Sequence, residues 1–127
     1  MMYNILWAGK CIGTTNLVGI DSGMGVALGT FSPTPVYDEV RPIFRLYAQA
    51  MIAQDKGIPY DEILNDYCKK RDALRFSLET VAKHLIPVEW IDIVDLLEET
   101  GDLEVEVKLS DYADVEKLST EIAAQRK

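Results

Sequence analysis

The hydrophobic period changes near Asp72, and that change limits the chain to a mixed fold. Before it, Ile43, Leu46, Tyr47, Ala50 and Met51 recur at the i, i+3, i+4, i+7, i+8 spacing of one helical face. After it, Leu74, Phe76 and Leu78 alternate with Arg75, Ser77 and Glu79. Farther on, Leu103, Val105, Val107 and Leu109 alternate with Asp102, Glu104, Glu106 and Lys108. Such alternation belongs to strands with one buried face. The expected fold is therefore α+β: a mostly antiparallel sheet from N- and C-terminal strands, with central helices 35–41, 42–56 and 59–71 on one face and a C-terminal helix 111–125. All 127 residues are expected to form a single globular domain, long enough to bury a core without disulfides.

Local signals set the boundaries. Thr34 can cap a helix, Pro35 suits its first position, and Asp38 and Glu39 fall in its positive first turn. Pro42 interrupts that helix and starts a longer one, which Gly57 ends. Pro59-Tyr60-Asp61-Glu62 opens the next helix, with Ile63, Leu64, Tyr67 and Cys68 inward. Lys69, Lys70 and Arg71 lie toward its end, where cations suit the helix dipole. Residues 96–101 read equally as a helical turn or a hairpin loop. Asp111 is placed to cap the last helix, whose apolar stripe is Val115, Leu118 and Ile122.

The N-terminal quarter is strand-like and rich in glycine. Tyr3–Trp7, a turn at 8–10 and a return through Thr14 form a hairpin. Residues 19–35 then hold Gly23, Gly25 and Gly29, an apolar run and two prolines. Gly23-x-Gly25-x-x-x-Gly29 is one residue too long for the dinucleotide fingerprint, and Thr30-Phe31-Ser32-Pro33 cannot open a helix. A phosphate-binding Gly-Lys-Ser/Thr is absent. The stretch reads instead as a turn at Asp21-Ser22-Gly23 followed by a buried strand, in a twisted or bulged antiparallel meander. Ile12-Gly13-Thr14-Thr15-Asn16-Leu17, with Met24-Gly25-Val26-Ala27-Leu28-Gly29-Thr30-Phe31-Ser32-Pro33, resembles a pattern in small bacterial proteins without an assigned function. The resemblance implies a bacterial, self-contained domain whose N-terminal part is a recurring unit, and it assigns no catalytic residue.

Charge supplies the other constraint. The net charge is −8, and Glu89 to Glu116 holds eleven acids against one base, Lys108. Such a surface repels phosphate backbones, so nucleic acid is not expected as a partner. No apolar run approaches the roughly 20 residues of a membrane helix. Cys11 and Cys68 have neither pairing nor metal-site spacing and read as reduced thiols in a cytoplasmic protein. His84 is the lone histidine, and no spacing unites it with Cys11 or Cys68 as nucleophile and Asp72 or Asp92 as orienter. Asp92, Asp95, Glu98 and Glu99 could in principle hold a hard cation, but strand alternation reads them as a solvated acidic face. No catalytic residue, cofactor or metal is therefore assigned.

The function this pattern supports is a small acidic interaction module, of immunity or inhibitor type, docking a basic partner through residues 89–116. Trp90, Asp92, Asp102, Glu104 and Glu106 are its candidate contacts. Trp90 reads either as an exposed anchor amid acids or as packed under the C-terminal helix. The alternatives are a homo-oligomeric structural protein, most simply a homodimer, and a small-molecule or enzymatic domain with a pocket near residues 19–35.

Overall fold

The computed structural model describes residues 2–125. Strands β1 (Tyr3–Trp7) and β2 (Lys10–Thr15) are joined through Ala8 and Gly9, both at positive φ, as a two-residue hairpin between right-twisted strands requires. Strands β3 (Gly19–Asp21) and β4 (Val26–Pro33) follow. Both β2 and β3 pair with β4, and between the two pairings residues 16–18 lie opposite only 29–30. One long strand is thus broken by a bulge at Leu17, whose φ is 43°. The bulged meander expected from the glycines is present.

The remaining strands are β5 (Ser77–Thr80), β6 (Leu85–Ile86), β7 (Val88–Leu96) and β8 (Asp102–Leu109). Their order is β6-β5-β1-β2-β4-β8-β7, antiparallel throughout, with β3 added on β4. The first and last strands of this order are separated in sequence by Pro87 alone, so the sheet must curl until its two ends meet. Cross-strand partners share a face. Ile5 with Leu78, Ala27 with Val107, and Ile91 and Ile93 with Val107 and Val105 therefore line the concave side, all buried.

Helices complete the α+β architecture. A short 3-10 helix (Pro35–Glu39) leads into α1 (Arg41–Asp55), and α2 (Asp61–Leu74) returns beside it. A single helical turn, α3 (Leu97–Thr100), ends at Gly101 with φ of 81° and resolves the ambiguity over 96–101. The last helix, α4 (Tyr112–Gln125), starts where Asp111 accepts the Ala113 amide, and it buries Val115, Leu118 and Ile122 as its stripe demands.

Three local expectations need correction. Thr34 makes no cap, because its hydroxyl donates to the Cys11 carbonyl at 2.7 Å and so ties the 3-10 helix to β2. The buried residues of α1 are Phe44, Ala48, Ala50 and Ala53; of the expected face only Ala50 is among them, while Ile43, Leu46, Tyr47 and Met51 are half-buried. The difference follows from α1 being wedged between β7 and α2, so more than one side is covered. The change of period also comes later: Leu74 still belongs to α2, Arg75 ends it at φ of 51°, and the strand begins only at Ser77.

Glycine is required where the bulge brings chains together. A Cβ on Gly29 would lie 2.6 Å from the backbone nitrogen of Leu17, which cannot move aside, whereas one on Gly23 would meet only the Asp21 carboxylate at 3.5 Å. Gly29→Ala is therefore expected to lose about 1–3 kcal/mol in chemical denaturation, and Gly23→Ala to stay near wild type. Equal behaviour of the two variants would contradict this packing.

Candidate functional site

The convex side of β4, β8 and β7 carries the candidate residues in four rows. Register places Val26, Lys108 and Trp90 in one row, then Leu28, Glu106 and Asp92, then Thr30, Glu104 and Val94, and finally Asp102 beside Leu96. Trp90, Asp92, Asp102, Glu104 and Glu106 thus share one face. Glu89 does not join them, since it falls at the register shift between Val88 and Trp90.

They are not equally available. Asp102 and Glu104 are exposed and Glu106 is half-buried, but Asp92 is only 6 % exposed. The expectation of a solvated Asp92 is corrected by α2, which overhangs this end of β7. The Tyr67 hydroxyl donates to Asp92, and Arg71 bonds the same carboxylate oxygen at 2.6 Å. Burial first, and then the Asp92 charge, raise the Tyr67 hydroxyl far above the ordinary tyrosine range, so it remains a donor. Of the basic run 69–71, Arg71 is drawn inward rather than solvated. Its guanidinium lies 5.4 Å from the centre of the Tyr67 ring and 5.7 Å from that of Trp90. Trp90 is therefore half-buried beneath α2, and neither reading of it from sequence describes this.

Three residues on, Asp95 points to the concave side and is fully buried. Tyr37 donates to it at 2.7 Å and Arg41 at 3.0 Å, while Arg45 donates to its backbone carbonyl at 2.6 Å and to Glu99. Burial alone would raise the Asp95 pKa. The bonds from Tyr37, Arg41 and the Leu97 amide outweigh it and hold the group below the ordinary carboxylate range. Asp95 therefore adds stability above an unfolded pKa of about 3.9, lost only as pH falls through the lower folded value. Glu98 also pairs with Arg41 and Arg45.

The acidic block is thus divided. Asp92, Asp95, Glu98 and Glu99 are held by arginines, and the sequence grouping of these four as a cation site fails because Asp92 and Asp95 face opposite ways. Among the described residues no three His, Cys, Asp or Glu side chains are grouped for a metal. Asp102, Glu104 and Glu106 have no cation within ion-pair distance among the described residues. Beside them a groove of about 460 Å³ between α1 and α2 is lined by Tyr47, Met51, Tyr60, Leu64, Cys68 and Trp90. The other candidate residues are scattered: Cys11 lies in β2, Cys68 in α2 and His84 in the β5–β6 turn. In the glycine-rich stretch Gly29 packs against the backbone of Leu17, and the Phe31 ring lies over Gly13.

Sequence reasoning missed Tyr37, Arg41, Arg45, Tyr67 and Arg71. A signal was present, since Tyr37-x-x-x-Arg41 and Tyr67-x-x-x-Arg71 repeat one spacing and each pair meets one aspartate.

Glu106 has a measurable signature. Burial, then Asp92 directly opposite and Glu104 nearby, raise its pKa above the ordinary glutamate value. A carboxylate whose folded pKa is raised takes up protons on folding, so stability falls as pH rises through that window. Glu106→Gln should raise stability by about 0.5 kcal/mol at neutral pH and low salt, with the gain vanishing below about pH 4. Arg71→Met should instead lose about 3 kcal/mol, because it leaves Asp92 buried without its cation. Denaturation across pH checks both, and a Gln variant no more stable at neutral pH refutes the first.

Comparison of the chain with protein-family models, with curated proteins and with solved structures finds no match.

Proposed function

We propose that this chain is a small protein-interaction module, of bacterial immunity or inhibitor type, that docks a basic partner on the convex face of β7 and β8. The observation that carries the reading is Glu106. It is a half-buried carboxylate facing Asp92, flanked by Glu104, with no cation of its own among the described residues. Like charges placed opposite on paired strands destabilise a free sheet. A lysine or arginine from a partner would relieve that repulsion, and such local conflicts are characteristic of functional sites.

Two further features fit. Asp102 and Glu104 extend the negative face outward, where unscreened charge speeds encounter with a basic surface and disfavours nucleic acid. The groove lined by Tyr47, Tyr60 and Trp90 lies beside it, so an apolar anchor can seat next to a charged rim. Trp90 is half-buried and lines this groove, with the Arg71 guanidinium over its ring. No helix among the described residues is long and apolar enough to cross a membrane, and both cysteines are free. The reading accordingly places the module in the cytoplasm, without cofactor or catalytic residue.

The test is capture of a partner from the native host at low and moderate salt, followed by titration of that partner with wild type and with Glu104→Gln/Glu106→Gln. The double variant should be more stable yet bind on the order of tenfold more weakly, chiefly through slower association. Unchanged affinity would remove this face as the site. A stable homodimer in light scattering, with the double variant monomeric, would give the face to a second copy of the chain instead.

A further inference from the structure

We infer that the cavity at the seam of the curled sheet binds a small molecule with an apolar body and a protonated amine. The cavity measures about 350 Å³, within the ~300–1,000 Å³ of small-molecule sites, and the mouth of a barrel-like sheet is a usual place for one. It opens between the β5–β6 hairpin and α4, on the opposite side of the sheet from the acidic face. Its floor is Tyr3, Leu17, Leu78, Leu109 and Leu118, all buried. On the hairpin side its wall includes Val81 and Leu85, which are 62 % and 68 % exposed. Two large apolar side chains left in water beside an apolar hollow mark a surface suited to a ligand that covers them.

The polar groups choose the head group. Glu121 and Asp114 reach the cavity from α4, and Tyr3 donates its hydroxyl to Glu121 at 3.4 Å, too long for a strong bond to a carboxylate. Among the described residues no cation lies within ion-pair distance of either carboxylate, although Lys117 stands on the same rim. An ammonium can donate to Glu121 and to the free lone pairs of the Tyr3 oxygen at once. A carboxylate ligand would face two like charges against the single ammonium of Lys117, and a body without a head group would strip water from Glu121 with nothing in exchange. Burial, with Glu121 beside it, pushes the Tyr3 hydroxyl up to about 12, so Tyr3 stays neutral and able to serve as such a partner.

The test uses three probes with the same aromatic body: phenethylamine, phenethyl alcohol and hydrocinnamate. Calorimetric titration and amide shift mapping on the wild-type protein should show saturable binding of the amine. The shifts should centre on Tyr3, Leu78, His84 and Leu118 and spare Trp90 and Glu106. The alcohol should bind more weakly and hydrocinnamate not at all. Glu121→Gln should weaken the amine on the order of tenfold and leave the alcohol unchanged. If that variant does not fold, the wild-type ranking of the three probes decides alone. Hydrocinnamate binding as tightly as the amine, shifts centred elsewhere, or no binding of any probe at millimolar concentration would overturn the inference. None of these outcomes bears on the acidic face, whose test is separate.

Discussion

Two aspartates on one end strand hold the helices to the sheet. β7 closes the strand order, so one of its edges has no strand partner. A bare edge invites pairing with other chains, and proteins cover or block such edges. Here α1 lies along it, and Arg45 takes up the Asp95 backbone carbonyl at 2.6 Å. Asp92 and Asp95 project to opposite faces of β7, and each receives a tyrosine hydroxyl and an arginine from the helical layer. Tyr37 from the 3-10 helix and Arg41 from the start of α1 reach the concave side, while Tyr67 and Arg71 reach the convex side from α2. The helical pair is thus clamped astride the strand. Ile91 to Asp95 are consequently all buried, although polar residues occur among them.

The clamp depends on completeness. A carboxylate taken out of water is tolerated only with its hydrogen bonds and counter-charge in place. Asp95 has Tyr37, Arg41 and the Leu97 amide, and Asp92 has Tyr67 and Arg71, so neither is an orphan. The aromatic members add packing of their own. Tyr47 stacks on Tyr67 with centroids 4.8 Å apart, and Phe44 bridges to Phe76 and Tyr37. This arrangement also fixes what is left over. Arginines positioned for Asp92, Asp95, Glu98 and Glu99 are too far from β8 to serve it, and the sole base on the convex strand, Lys108, donates to the Met24 carbonyl instead. On the convex face of β8 the uncompensated charge therefore lies on Asp102, Glu104 and Glu106.

What could be read from the sequence was what depends on neighbours along the chain. The alternation over Asp102–Leu109 gave that strand to the residue, since one buried face leaves no other register. Asp111 and the Val115, Leu118, Ile122 stripe likewise located α4 within one residue. Alternation misplaced Asp92 because it assumes a wet face. β7 is covered on both faces by helical residues far from it in sequence, Tyr67 and Arg71 at 25 and 21 places from Asp92 and Tyr37 and Arg41 at 58 and 54 places from Asp95. The basic run 69–71 misled for the same reason, as charge alone does not separate Arg71, drawn over Trp90, from the exposed Lys69 and Lys70. The cavity at the seam was invisible, because it exists only once the sheet curls and brings β6 back to β7 through Pro87.

The two ends of the sheet are consequently built to different stiffness. At β7 and β8 long paired strands, two buried charge clusters and an aromatic layer fix the strands that carry Asp102, Glu104 and Glu106. At the seam β5 is held to β1 by four residue pairs, but β6 is held to β5 by only two, across a turn in which Val81 to His84 are all exposed, with Lys83 at φ of 66°. Segments with few buried contacts open at lower free energy than the core around them. The loosely held part of the cavity wall is therefore the 81–84 turn with β6, while Leu78 of β5 stays buried and paired with Ile5, so the floor of the cavity is as firmly built as the rest of the sheet.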